Sequence, residues 1–474
     1  MLKINKTSIK WKFLERLVTQ VFQLIVQVIL ARLLMPEAFG IIAIILVIVS
    51  IAMVFVQTGF NTAIIQSKEV NNQQISTVFY INLAISVLFY FVVFFIAPSI
   101  ESIYSFEHLT VYIRVMSLTI IFGAIYSISS AVVTKQMNFF ISFICNFVAV
   151  MLSGIVGVLG ALFGMGIWSL IIYQVLFNVS LSILFFALVK WKPGKPSRLK
   201  DVSALFSFGW KVFLAHFLDT IYKEVSVLVI GKKVPEDVLG FYSKGSQFPL
   251  MATKACNETV KTALLPIYSK QQGNKQQISS MISNNIRTLS FIIIPALTGL
   301  AIVARPLVLV VLTEKWADSI VFLQVFCFIY LLDPIKSIIY QAFNSIGKSG
   351  LFLALVLSNI LMLIVVLVFT IFYGIMFLLY GTLVVQLISL FASLIASKVV
   401  LKYNFKSFFG DIYKSVTSTI VMFVCVFPYQ FYVSNPYLVL LIQVVIGAFS
   451  YLLASICLRE QTITNFIEKR FTRR

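Results

Sequence analysis

The sequence predicts an all-α integral membrane protein of about fourteen transmembrane helices, built on a duplicated six-helix unit. Three observations predict it: apolar runs of membrane-spanning length that recur along the chain, a one-sided distribution of basic residues, and matched motifs about 200 residues apart. Of the 474 residues, 60% are hydrophobic and 11% charged, whereas an average soluble domain carries roughly 25% charged residues.

A helix needs ~20 mostly apolar residues to cross a bilayer. The clearest runs cover 39–65, 78–100, 111–133, 139–163, 167–189, 290–304, 352–372, 377–395, 416–432 and 437–458. Four more, at 13–34, 206–230, 239–268 and 320–343, are long enough but interrupted by polar residues. The first run follows Lys3, Lys6, Lys10 and Lys12 and contains Glu15, Arg16 and several glutamines. A cleavable signal peptide has a short apolar stretch and a small-residue cleavage site instead, so this helix is expected to stay. The five cysteines (145, 256, 327, 425 and 457) sit inside spans without ligand-like spacing, and only two histidines occur. Free thiols filling apolar space are expected, with no metal and no cofactor.

The net charge of +20 has a topological explanation. Placing the amino terminus inside leaves Arg32, Lys232, Lys233, Arg305 and Lys315 in external segments and eight Lys/Arg inside spans. The other 24 of the 37 Lys/Arg then fall in cytoplasmic segments. This is the positive-inside bias, and both termini are expected in the cytoplasm. The basic runs are read as orientation signals attracted to the headgroups of membrane lipids, and no nucleic-acid partner is expected.

The run KWKPGKPSRLK at 190–200 reads as a flexible cytoplasmic connector after the sixth helix. Its two sides resemble each other. Pro36-Glu37 leads to Gly40 between helices one and two, and Pro235-Glu236 leads to Gly240 between helices seven and eight. Gln73-Gln74-Ile75-Ser76 matches Gln276-Gln277-Ile278-Ser279 one helix later. The expected organisation is a six-helix lobe over 1–190, a basic linker over 191–205, a second six-helix lobe over 206–400, and two further helices with a basic tail over 401–474. Because six is even, both copies enter from the same side, as a parallel repeat. In the Pro-Glu-x-Phe-Gly turn, proline starts a helix, glutamate suits its positive end and glycine permits close packing.

Charges within spans are costly, at least ~2.5–3.5 kcal/mol at the bilayer centre. The basic ones are Arg16, Arg114, Lys211, Lys223, Lys244, Lys254, Lys261 and Lys336; the acidic ones are Glu15, Asp219, Glu224, Glu258 and Asp333. They fall on stripes at three- and four-residue steps. The eighth helix carries Lys244, Gln247, Lys254 and Glu258, the tenth Asp333, Lys336 and Gln341, and the seventh Asp219 and Lys223. Gln20 and Gln23 lie on the first helix, Gln57 and Asn61 on the second. One reading makes these ion pairs that hold the bundle together. The other, which is favoured, makes them the lining of a wet, net basic cavity for an anionic substrate. Lys223, Lys254, Lys336, Lys244, Arg114 and Arg16 are then substrate-binding candidates, Asp219, Glu258 and Asp333 their charge partners, and the glutamines and asparagine polar lining. No phosphate loop, nucleophile elbow or HExxH motif is present, so no built-in nucleotide motor or enzyme is expected.

Five phrases carry a resemblance: ARLLMPEAFG at 31–40, QTGFNTAIIQ at 57–66, the stretch 206–245, LLPIYSK at 264–270 and EKWADSIVFLQ at 314–324. On these the chain resembles the polysaccharide transporter family. This family includes the Wzx-type flippases of O-antigen, capsule and exopolysaccharide assembly and the colanic-acid exporter branch. It lies within the multidrug/oligosaccharidyl-lipid/polysaccharide flippase superfamily. The resemblance implies two six-helix lobes around a central cavity and a polyprenyl-pyrophosphate oligosaccharide as substrate. It also implies the bacterial inner membrane as location, alternating access as mechanism, and a polysaccharide polymerase and other assembly proteins as partners. Related lipid II flippases have an arginine-rich cavity, whereas the spans here carry mostly lysine. A multidrug or metabolite antiporter of the same architecture, and a membrane polymerase or ligase, are the alternatives. The basic stripes disfavour the first, and the short external connections disfavour the second.

Overall fold

The computed structural model describes residues 6–57, 59–67, 70–269, 271, 274–370, 372–429, 435–460 and 462–463. Helices α1 (Lys6–Leu33), α2 (Pro36–Gln57), α3 (Gly59–Gln66), α4 (Asn72–Tyr104), α5 (Leu109–Met116), α6 (Leu118–Lys135), α7 (Phe139–Leu162) and α8 (Ile167–Leu188) come first. After them run α9 (Ser203–Gly231), α10 (Glu236–Ser269), α11 (Lys275–Ile302), α12 (Ala304–Val311), α13 (Ser319–Ser345), α14 (Ser349–Thr370), α15 (Ile375–Leu401), α16 (Phe405–Val426) and α17 (Pro436–Cys457). Among the described residues there is no strand.

Among the described residues, twelve helical segments are long and apolar enough to cross a membrane, α2–α3 and α5–α6 each forming one. Fourteen spans are expected from the sequence; α9 and α10, which have the length, are not among the twelve. Their polarity is the difference: they are the helices on which the sequence concentrates charge. Elsewhere large apolar side chains point outward, with Phe95 71%, Phe163 81% and Phe372 79% exposed. Such belts far exceed the apolar patches a soluble monomer exposes.

The chain divides into two compact units, Met1–Gly240 and Phe241–Arg474. In the first, α9 packs on α2 and α3. Phe213 and Phe217 stand 4.7 and 5.3 Å from the ring of Phe55 on α2, and the Tyr104 hydroxyl donates to the Leu228 carbonyl at 3.0 Å. Two reciprocal glycine contacts bring α2 against the first turn of α10 and α3 against α9. A Cβ on Gly40 would collide with the Glu236 carbonyl, and one on Gly240 with the Pro36 carbonyl. The repeated Pro-Glu turns therefore meet backbone to backbone at their glycines, the structural role read from the sequence. At the other end of α2–α3, a Cβ on Gly59 would lie 2.8 Å from the Gly209 carbonyl oxygen, and one on Gly209 3.0 Å from that of Gly59.

In the second unit α11 packs on α13 and α16, and α16 on α17. The core beneath α11, α13 and α15 is built from Ile278, Ile282, Ile286, Ile335, Ile339, Phe343 and Leu394.

The element order repeats. A long helix with a proline near its end (Pro98 in α4, Pro295 in α11) is followed in each case by an eight-residue helix, α5 or α12. The matched QQIS phrases are helix starts. Asn71 accepts from the Gln74 N–H and Asn274 from the Gln277 N–H, at 2.8 and 3.0 Å. An N-cap asparagine satisfies amides that the helix itself leaves open. Gln74 returns a bond to the Asn71 N–H at 3.1 Å, which closes a capping box.

One expectation is corrected. The basic connector is tied down rather than flexible, because the start of α4 offers hydroxyls to its backbone. The Gly194 N–H donates to Ser76 Oγ at 2.9 Å and the Ser197 N–H to Thr77 Oγ1 at 2.7 Å. Gln74 Nε2 donates to the Asp201 carbonyl at 2.9 Å.

Candidate functional site

The residues of the polar stripes differ in burial, and several are bonded within their own unit. In the first unit, Arg16 is exposed on α1 while Glu15, one position earlier, turns inward. Successive helical residues point ~100° apart, and Glu15 accepts from Ser142 Oγ at 2.7 Å and Asn146 Nδ2 at 3.2 Å on α7. Gln20 and Gln23 are half-buried on α1. Gln57 donates to the Tyr126 hydroxyl at 3.0 Å. The Asn61 side-chain carbonyl is buried with no hydrogen-bond partner among the described residues. Arg114 lies 4.1 Å over the Phe94 ring, and its Nε donates to the Phe94 carbonyl at 3.3 Å, so it fastens α5 to α4. Lys223 is exposed on α9, and Glu224 beside it is half-buried. The side chains of Asp219, Lys211 and Lys261 lie outside the described residues.

In the second unit, Lys244 and Lys336 are the buried lysines among the described residues. Lys244, 4% exposed, donates from Nζ to Gln247 Oε1 at 3.0 Å, its neighbour one turn along α10. Lys336, 3% exposed, pairs with Asp333 at 3.2 Å and donates to Gln386 Oε1 on α15. Gln386 Nε2 in turn donates to Asp333 Oδ1 at 3.2 Å. Charge, counter-charge and amide thus close a ring, the arrangement that makes a buried cation tolerable. Gln341 is buried further along α13. Lys254 behaves differently. It is exposed on α10, one turn before the half-buried Glu258. Among the described residues no cluster of three or more His, Cys, Asp or Glu could hold a metal ion.

Sequence reasoning missed Gln386, although it is the only amide in the run 377–395. It also missed a buried carboxylate that gathers three partners. Asp411 on α16, 4% exposed, takes Arg287 of α11 at 2.7 Å, Ser283 Oγ at 2.6 Å and the Tyr403 hydroxyl at 2.9 Å. Burial pushes the Tyr403 phenol above its ordinary range, and the neighbouring Asp411 charge holds it there. Arg287 precedes the apolar run at 290–304, yet α11 already begins at Lys275. The signal was Asp411 itself, the one acid in a basic run.

Between α16 and α17 lies an apolar groove of about 700 Å³ lined by Val421, Cys425, Val445, Phe449 and Leu453. Thr417 and Ser450 are the hydroxyl residues of its otherwise apolar lining.

A helical membrane fold with charge concentrated on particular helices is consistent with several transporter families, and comparison with known proteins decides between them. Residues 29–321, more than half of the chain, match the family model described as "Polysaccharide biosynthesis protein". The chain belongs to this family. It is 26% identical over 285 residues to the teichuronic acid biosynthesis protein TuaB of Bacillus subtilis (strain 168), covering 59% of each chain. It is 24% identical over 311 residues to the succinoglycan biosynthesis transport protein ExoT of Rhizobium meliloti (strain 1021), covering 65% of this chain and 63% of that one. The chain thus spans less than two thirds of the length of these relatives. Among solved structures, the lipid II flippase MurJ in an inward closed conformation superposes with a TM-score of 0.75 at 17% identity, covering 96% of this chain and 100% of that one. At that identity the likeness establishes the fold.

Proposed function

We propose that this family member is a flippase. It carries polyprenyl-pyrophosphate-linked oligosaccharide repeat units across the bacterial cytoplasmic membrane by alternating access, for assembly of a surface polysaccharide. The observation that carries the reading is the concentration of charge on α9 and α10 in an otherwise apolar helical chain of a polysaccharide-biosynthesis family. Charges kept in a membrane mark a substrate path, and a lipid-linked saccharide has a polar head to move and an apolar tail to leave in the bilayer. On this reading the protein performs no covalent chemistry, both termini and the 190–205 connector are cytoplasmic, and the chain works beside a polysaccharide polymerase. The two six-helix repeats marked by the paired motifs are proposed as the moving lobes.

Lys223 and Lys254 are proposed to meet the phosphates, since both are exposed and an ammonium group is a mobile point charge suited to a diphosphate. Lys336, Lys244 and Arg114 are proposed to shape the site, each being bonded within its own unit.

Deletion of the gene is expected to make one class of polyprenyl-pyrophosphate oligosaccharide accumulate on the cytoplasmic face, read by lipid extraction and mass spectrometry. Unchanged lipid-linked intermediates with normal surface polysaccharide would overturn the function. The Lys223→Gln/Lys254→Gln variant is expected to melt like the wild type while losing most of its transport. Full transport by that well-folded variant would remove these lysines from the site.

A further inference from the structure

The segment from Val189 to Val202 alternates between residues that hold it to the protein and residues that face out. Val189 and Val202 are 3% and 0% exposed. Trp191 packs between two cores, 6.0 Å from the ring of Phe79. Gly194 and Ser197 are hydrogen-bonded through their N–H groups to Ser76 and Thr77, and the Ser197 and Thr77 hydroxyls lie 3.0 Å apart. The five cations between these anchors, Lys190, Lys192, Lys195, Arg198 and Lys200, are all exposed. The single acid, Asp201, has its carboxylate on the Arg198 N–H at 3.2 Å.

This strap starts where the lipid-facing surface of α8 ends. Phe186 and Leu188 are 45% and 44% exposed on the last turn of α8, and Lys192 Nζ sits 4.1 Å above the Phe186 ring. Leu199, in the middle of the cations, is 70% exposed. An exposed leucine among basic side chains, continuous with an apolar belt, matches a surface that meets both acyl chains and headgroups. Basic residues at such a boundary are drawn to anionic lipid. Here the backbone bonds fix their spacing beforehand, so less ordering is needed on binding.

We propose that the 189–202 strap is a preorganised site for anionic phospholipid headgroups, on the face of the membrane where it lies. Lipid held there fastens the junction between α8 and α9. The inference rests on the membrane-spanning fold and needs no assumption about the transported substrate.

The test uses the full-length protein purified in detergent and titrated separately with phosphatidylglycerol, phosphatidylcholine and a polyprenyl pyrophosphate, with melting temperature as readout. Phosphatidylglycerol is expected to raise the melting temperature and phosphatidylcholine to leave it unchanged. A variant with glutamine at positions 190, 192, 195, 198 and 200 is expected to fold, because those side chains are exposed. It should need roughly ten-fold more phosphatidylglycerol for the same rise. The Ser76→Ala/Thr77→Val variant keeps every cation but releases the backbone, and should need about three-fold more. An unchanged phosphatidylglycerol midpoint in the five-site variant would overturn the proposal. So would equal responses of the wild type to the two phospholipids, or a strap-dependent response to the pyrophosphate alone.

Discussion

Gly40→Leu and Gly240→Leu are each expected to abolish recovery of folded protein, and the milder Gly40→Ala to cost about 3 kcal/mol or more. The reason is geometric. At both positions a Cβ points into a backbone carbonyl of the opposing helix, Glu236 for one and Pro36 for the other. A flexible side chain could rotate away, but a carbonyl of a helix start can move only with its helix. Ordinary overpacking costs 1–3 kcal/mol, and this contact lies at the upper end because both partners are main chain. Monodispersity on gel filtration and melting temperature in detergent measure the effect. Gly410→Ala is the control: that glycine lies within α16 with nothing within 4 Å of its would-be Cβ. Alanine there is expected to be neutral or to stabilise by about 0.5–1 kcal/mol. Wild-type stability in Gly40→Ala would show that the Pro-Glu turns do not touch as described.

Asp411→Ala and Arg287→Ala are each expected to lower stability by ~3–5 kcal/mol, because each leaves a buried or half-buried charge without its counter-charge. Asp411→Ala also strands the Tyr403 and Ser283 hydroxyls. Nearby Glu460, 1% exposed just beyond α17, has its carboxyl raised by burial and partly drawn back by Lys414 and Arg287. Losing Arg287 therefore removes a favourable charge from two carboxylates at once. The double variant Arg287→Met/Asp411→Leu is expected to recover much of the loss, since well-packed apolar residues replace buried pairs at little cost. Thermal unfolding of the three variants decides the matter. Additive losses in the double variant would refute a coupled pair.

Fold class and the paired motifs were legible in the sequence because each depends on local chemistry. A run of apolar side chains must leave water wherever it occurs, so span positions follow from composition. An Asn-x-x-Gln start caps its own helix, which is why the QQIS phrases marked equivalent places in α4 and α11. The same locality made α9 and α10 stand out, and the Lys336–Asp333 pair follows from one-turn spacing along α13. What only the tertiary structure decided is which polar groups meet across helices. Glu15 turning to Ser142, Gln386 completing the Lys336 ring, and Arg287 reaching Asp411 over 124 residues depend on how the helices rotate and pack. Hydropathy averages over that rotation. The connector shows the same limit: prolines, a glycine and five cations describe a loop in any sequence window, and it became an ordered strap only because Ser76 and Thr77 were there to receive its backbone.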